Sequence, residues 1–240
     1  MDDASIYVVE DGDPSLPALL LLSGAHCNTG MWQPVLPGLV ARFHVVRHDV
    51  RGTGRSRVEP GAAFGLDRFA DDAAEVLDAL RIEGCSVWGM AFGARVALAF
   101  ASLHPQRVSR LALFDASVER PNPGAQQESA VAARAERRDR GIPEITLEAQ
   151  WFENDDQKTL ATALMAAYTD GDHGRYVQGI SVPTLLATGD LDPNLKASQR
   201  LHASIPGSRF VVLESTGHGS VLQRPDLCLS VFERLFTIQG

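Results

Sequence analysis

Cysteine is scarce in this chain, and Cys27, Cys85 and Cys228 neither all pair nor show a metal-ligand spacing. That excludes a disulfide scaffold and fits a reducing compartment. Positive charge is in deficit, with 22 Lys and Arg against 30 Asp and Glu and a net charge of −8 at pH 7. Nucleic acid and anionic membranes are therefore not expected as main partners. Long apolar runs are missing, since Ala18–Leu22 and Val96–Ala101 are far too short to span a bilayer. The opening segment MDDASIYVVEDGDPS is acidic and has no basic stretch leading into an apolar core. No signal peptide is expected, and the expected location is cytoplasmic. Repeats and low-complexity tracts are absent as well. What remains is ordinary: 240 residues, 45% hydrophobic and 22% charged, enough for one domain with a small insertion. The expected partner is a small-molecule substrate. No cofactor or metal is expected, and the oligomeric state is left open.

Strand-length apolar runs alternate with segments of helical period. Ser5–Val9 has the composition of an edge strand, and Ala18–Leu22 reads as a strand covered on both faces. A helix is expected within Trp32–Ala41, limited by Pro34 and Pro37, and then a strand at Phe43–Arg47. Leu66–Leu80 is helical by the spacing of Leu66, Phe69, Ala73, Val76, Leu77 and Leu80. Cys85–Trp88 (strand), Ala91–Leu103 (helix) and Arg110–Phe114 (strand) follow. The alternation stops after Asp115. Within Ser117–Val177, the stretches Gln126–Arg138, Leu147–Phe152 and Gln157–Tyr168 have helical period and no strand stands out. The alternation resumes with Pro183–Thr188, Leu195–Ile205, Phe210–Leu213 and Asp226–Phe236. The expected class is α/β: a mostly parallel sheet with helices on both faces and a small helical cap. The core is 1–116 and 179–240, and the cap 117–178. Ligands of such a sheet bind beyond the carboxyl ends of its strands. The residues there are Gly24-Ala25, Asp49, Ala91-Phe92, Asp115, Asp190 with Asp192, and His218.

One further absence organises the rest. Gly89-Met90-Ala91-Phe92-Gly93 sits between a strand and a helix. With serine in the middle it would be the G-x-S-x-G elbow, a strained turn that lifts a nucleophile above a sheet. Residue 91 is alanine, and a methyl group cannot attack a carbonyl.

The segments LLLLSGAHCNTGMW, RHDVRGTGRS, WGMAFG, LLATGDLDPN and STGHGSVLQRPD occur in that order, each at a strand end. Together they resemble the α/β-hydrolase fold over nearly the whole chain. The front half is similar to enol-lactonases and to the aminoacrylate hydrolases of pyrimidine breakdown. The triad order of that fold implies position 91 as the nucleophile site, Asp192 as the acid and His218 as the base. Asp115 is the alternative acid, because some members of the fold place it there. The resemblance also implies an oxyanion hole from the backbone N–H groups of Ala25 and Phe92. Gly24, His26, Met90, Trp151 and Phe152 are pocket candidates. Cys27 is either a replacement nucleophile or a core cysteine. Asp49 and Arg51 are expected to brace their own turn.

Three functions follow. The first is a hydrolase of a small labile ester, lactone or enamine/imine that uses water activated by His218 and Asp192. The second is a serine esterase or lactonase in which alanine stands in for the serine. The third is a small-molecule binding protein without chemistry. A lyase or cofactor-free oxygenase is also compatible with the scaffold.

Overall fold

The protein is described from a computed structural model covering residues 3–169 and 174–237. Its strands are β1 (Ala4–Ser5), β2 (Val8–Asp11), β3 (Ala18–Leu22), β4 (His44–His48), β5 (Arg57–Val58), β6 (Cys85–Met90), β7 (Val108–Phe114), β8 (Thr184–Gly189) and β9 (Arg209–Leu213). Seven of them form one sheet in the order β2-β4-β3-β6-β7-β8-β9, while β1 and β5 pair apart from it. Only the β2–β4 pairing of the large sheet is antiparallel.

The helices are α1 (Leu36–Val40), α2 (Leu66–Ala79), α3 (Phe92–Leu103), α4 (Pro123–Asp139), α5 (Gln157–Thr169), α6 (Gly174–Gln178), α7 (Leu195–Ser204) and α8 (Pro225–Glu233). They cover both faces, which is why β3 carries four fully buried leucines in succession rather than alternating ones. Leu20, Leu22, Val87 and Leu111 pack with α2 and α3 in one core. Leu19, Leu21, Trp88 and Phe114 pack with Trp32, Val231 and Phe232 in the other. No helix among the described residues is long and apolar enough to cross a membrane.

Several expected elements come out differently. The single helix within Trp32–Ala41 is instead a 3-10 turn at Thr29–Trp32 and the short α1. Pro34 and Pro37 lack the N–H groups that a continuous helix needs there. Ser5–Val9 breaks into β1 and β2, and Leu147–Phe152 yields only a 3-10 turn at Ala149–Phe152. The last helix stops at Glu233 and tightens into a 3-10 turn over Arg234–Thr237. The sheet strand before the elbow extends to Met90, so it delivers the chain directly into the turn.

The insertion between β7 and β8 divides by packing. Leu160, Ala163, Leu164 and Ala167 of α5, with Tyr176 of α6, are buried in the core that holds α3. Helix α4 is mostly exposed and reaches the His218 loop through Ser129, whose Oγ accepts from the His218 N–H at 3.1 Å.

Candidate active site

The elbow is built without its serine. Ala91 joins β6 to α3 at φ 51° and ψ −108°. A side chain of L configuration rarely sits there, and such strain is kept where surrounding structure over-determines it. A Cβ on Gly89 would lie 2.5 Å from the Gly93 carbonyl oxygen, and one on Gly93 would lie 2.1 Å from the Leu22 carbonyl oxygen. Only glycine permits these approaches. The Ala91 N–H donates to the Phe114 carbonyl at 2.8 Å, which fixes the turn to β7.

His218 lies in the loop between β9 and α8, and its Nδ1 is 2.9 Å from Asp192 Oδ2 in the turn after β8. Asp192 Oδ1 accepts the Asn194 N–H at 2.8 Å, so the carboxylate is held at both oxygens. Asp190, its neighbour, accepts the N–H groups of Ser215 and Thr216 at 3.1 and 3.0 Å. It ties the acid turn to the histidine loop and does not face the imidazole. Burial disfavours the imidazolium, but its hydrogen bond to Asp192, which accepts at Oδ2, and the charges of Asp192 and Asp115 outweigh it. The His218 pKa is held above its ordinary value.

A cavity of about 30 Å³ opens over the Ala91 methyl, lined by Ala25, Phe92, Arg95, Asp115, Tyr168 and His218 among others. That is room enough to admit water. Ala91, the His218 imidazole, Ala25 and Phe92 therefore border one space.

The α/β hydrolase fold family matches the chain over residues 17–142. The chain belongs to this family. A Caulobacter segnis protein assigned as the carbamate hydrolase RutD is 29% identical over 236 residues, covering 87% of this chain and 86% of its own. The 3-oxoadipate enol-lactonase 1 of Acinetobacter baylyi is 24% identical over 250 residues, covering 95% and 91%. The crystal structure of a hydrolase from Pseudomonas aeruginosa matches with a TM-score of 0.81 at 26% identity, covering 99% of this chain and 96% of that one.

This member of the α/β hydrolase family has a second buried carboxyl behind its histidine. Asp115 Oδ2 accepts the N–H groups of Gly219 and Ser220 at 3.0 and 2.7 Å, clamping the loop just past His218. Its Oδ1 is buried without a hydrogen-bond partner. Burial and the nearby charge of Asp192 push its pKa up to about 7, against the opposing charge of His218. Asp115 does not replace Asp192 as the partner of Nδ1; it holds the backbone instead. Asp115, Asp192 and His218 also offer atoms within 4.8 Å of one another to a metal ion. Those atoms are largely committed to the imidazole and to the loop amides, an arrangement that suits an imidazole–carboxylate couple.

Not every pocket candidate reaches the elbow cavity. Met90 is buried in the core beneath Gly24, where an added Cβ would meet its Cε at 2.4 Å. His26 is exposed at φ 62°, and its carbonyl is tied down by Asn154 Nδ2 at 3.1 Å. Trp151 packs against Gly30 and lines a different cavity with Tyr7 and Asp49. Phe152 lines a larger cleft that also borders His218. Cys27 is buried, and burial pushes its thiol up to about 12. It stays protonated near neutrality and does not line the elbow cavity, as a core cysteine would not.

Asp49 and Arg51 act as braces. Asp49 accepts the N–H groups of Thr29 and Arg55 at 2.7 and 2.8 Å. Arg51 grips Asp72 with two bonds of 2.7 Å and Asp3 with a third of the same length.

Arg95, Tyr168, Ser117 and Asn194 border the elbow cavity without having been singled out in the sequence. Arg95 had a readable signal. It is the one charge in the apolar run AFGARVALAFA, four residues past Ala91 and so on the same helix face. Its guanidinium lies 5.2 Å from the centre of the Tyr168 ring and donates to the Glu119 carbonyl. Burial lowers its pKa to about 10, so it remains a cation.

Proposed function

We propose that this chain hydrolyses a small, labile ester, lactone or enamine/imine with water as the nucleophile. The observation that carries the reading is the cavity of about 30 Å³ above the Ala91 methyl, bordered by His218, Ala25 and Phe92. In a serine enzyme the nucleophilic oxygen stands at this point. Here the space suits a water molecule.

The steps follow from the geometry. Nδ1 faces the Asp192 carboxylate and holds the imidazole proton, which leaves Nε2 to act as the base. Water gives Nε2 a proton as its oxygen bonds to the electrophilic carbon. The charge that develops on the substrate heteroatom is met by the N–H groups of Ala25 and Phe92. The imidazolium, stabilised by Asp192, then protonates the leaving group, and the base is regenerated.

Magnitudes restrict the substrate. Loss of the serine from a serine protease costs about 10⁶ in kcat and leaves roughly 10³–10⁴ over water. A positioned base is worth roughly 10²–10⁴ and an oxyanion donor roughly 10²–10³. Together they give on the order of 10⁴–10⁷, which is about 5–10 kcal/mol of barrier. An unactivated amide needs more, whereas an enol ester, activated lactone or enamine needs no more. The enol-lactonase and carbamate hydrolase relatives act, by their names, on labile bonds of this sort.

The experiment is turnover of a panel of labile esters, lactones and enamines by the intact chain and by His218→Ala. A loss of at least about 10² is expected for at least one class. Equal rates across the panel would end the reading.

The retained elbow supports a second reading, a serine esterase in which alanine occupies the serine position. Ala91→Ser should then hydrolyse p-nitrophenyl acetate with an acyl-enzyme burst. An inert Ala91→Ser variant would dismiss it. A pure binding protein is disfavoured by the same site, since it gains nothing from a buried carboxylate aimed at an imidazole.

A further inference from the structure

The loop that carries Ala25 holds a strained residue. Gly24 to Cys27 form a β-turn, closed by the Cys27 N–H donating to the Gly24 carbonyl at 3.2 Å. Its third residue, His26, has φ 62°. A positive φ at that place is where glycine is the usual choice, and a histidine there is strained. Such a conformation persists only where neighbouring structure holds it. The His26 side chain is exposed, so packing of the ring does not supply the hold.

The hold comes from the insertion. Asn154 is 128 residues further along the chain, and its Nδ2 donates to the His26 carbonyl at 3.1 Å. Its Oδ1 accepts the Gly54 N–H at 2.7 Å. A carbonyl needs a donor and an N–H an acceptor, so the two partners fix which way the amide points. The Gly54 turn is itself fixed. Asp49 accepts the Arg55 N–H at 2.8 Å, and the Gly54 carbonyl accepts the Asp155 N–H at 2.9 Å. Asn154 therefore ties the strained peptide to an anchored turn.

Asn28 makes the reciprocal contact. Its N–H donates to the Trp151 carbonyl at 2.9 Å, and its Nδ2 donates to the carbonyls of Gln150 and Glu153 at 2.7 and 3.0 Å. Two asparagines thus fasten the end of the insertion's middle segment onto the loop that brings Ala25 to the elbow cavity.

We infer that Asn154 is a positioning residue: by holding His26 left-handed it aims the Ala25 N–H at the space above Ala91, so that the insertion sets the oxyanion hole. Without this bond His26 relaxes toward negative φ, the turn swings, and the fraction of competent loops falls. Glycine at position 26 would have no such strain to release. The inference rests on the hydrolase reading for the role of Ala25, but the placement of the Ala25 amide is measurable without turnover.

The test is a double-mutant cycle between Asn154→Ala and His26→Gly in the full chain. On a labile ester that His218 turns over, Asn154→Ala should lower kcat at least about fivefold, short of the roughly 10²–10³ that outright loss of an oxyanion donor costs. KM should change by less than about twofold, because the bond at stake serves the transition state. In the His26→Gly background the same substitution should lower kcat less than about twofold. Asn154→Asp keeps the acceptor for Gly54 and loses the donor to His26, so it should fall as Asn154→Ala does. The second readout is the Ala25 amide resonance, selected by labelling glycine carbonyl carbons and alanine nitrogens. Asn154→Ala should shift or broaden it in the chain that keeps His26 and leave it nearly unchanged in the His26→Gly background. Equal kcat losses in the two backgrounds, an Ala25 resonance indifferent to Asn154→Ala, or an Asn154→Asp variant as active as the intact chain would overturn the inference. Equal turnover by the intact chain and His218→Ala would sink the hydrolase reading instead, and the amide resonance alone would then decide whether Asn154 places Ala25.

Discussion

In the proposed mechanism His218 is the residue on which the chemistry turns, and its environment gives a signed expectation. Asp192 and Asp115 hold its pKa above the ordinary value, while the base must be neutral to act. The rate should therefore rise with pH through an acid limb that lies above about 6.5. Asp192→Asn removes the charge that raises this pKa. The limb should move to lower pH as kcat falls, read from a pH–rate profile on any substrate that turns over. A profile unchanged in Asp192→Asn would mean that the couple does not govern catalysis. Stability has its own sign. A raised histidine pKa contributes stability that is fully present below the unfolded value and is lost as pH rises through the folded one.

Asp115 is the less visible residue. Its pKa near 7 means that folding favours its protonated form, so ionising it costs stability as pH rises from the unfolded value of 3.8 toward 7. Asp115→Asn keeps an acceptor for Gly219 and Ser220 and removes the charge. It should therefore lessen the loss of thermal midpoint between pH 5 and 8. Asp115→Ala leaves two loop amides without their acceptor and should cost about 1–3 kcal/mol in urea unfolding. The sequence marks Asp115 as an acid at a strand end, and the family resemblance marks it as an alternative partner for the histidine. Its contact with amides more than a hundred residues away comes from tertiary placement.

At the scale of elements, the elbow is the part the sequence states most openly. Gly89 lies too close to the start of α3 for a Cβ and Gly93 too close to the end of β3, and that requirement survives the change of the residue between them. Gly93→Ala drives a Cβ against the Leu22 backbone and should cost roughly 1–3 kcal/mol. Gly124→Ala in α4 meets only a side-chain oxygen at 3.6 Å and should be neutral or slightly stabilising. Urea unfolding of the two variants side by side checks the contrast. Elsewhere, local pattern was a poorer guide. Pro34 and Pro37 were visible, but their effect, a split helix, depended on where the chain turns to cover β3. His26 is a pocket candidate through Ala25 beside it, and Trp151 as an aromatic of the cap. In the fold His26 turns to solvent and Trp151 packs onto Gly30.

At the scale of the molecule, the alternation of strands and helices suffices to place His218, Asp192 and Ala91 beyond the carboxyl ends of the strands of a mostly parallel sheet. What it did not show is how the insertion divides. Helices α4 and α5 both have helical period, yet Leu160 of α5 is 2% exposed and Val131 of α4 is 65% exposed. Periodicity finds an apolar stripe and does not say what covers it. Leu160→Ala should cost about 2–5 kcal/mol, and Val131→Ala less than about 0.5. Equal losses would mean that α5 is not part of the core.

The whole account depends on water attacking the substrate above a methyl group. Intact-mass spectrometry of the chain, quenched during turnover of a labile ester, tests this most directly. The expected result is an unmodified protein mass while product accumulates linearly. An acyl adduct on the chain would contradict it.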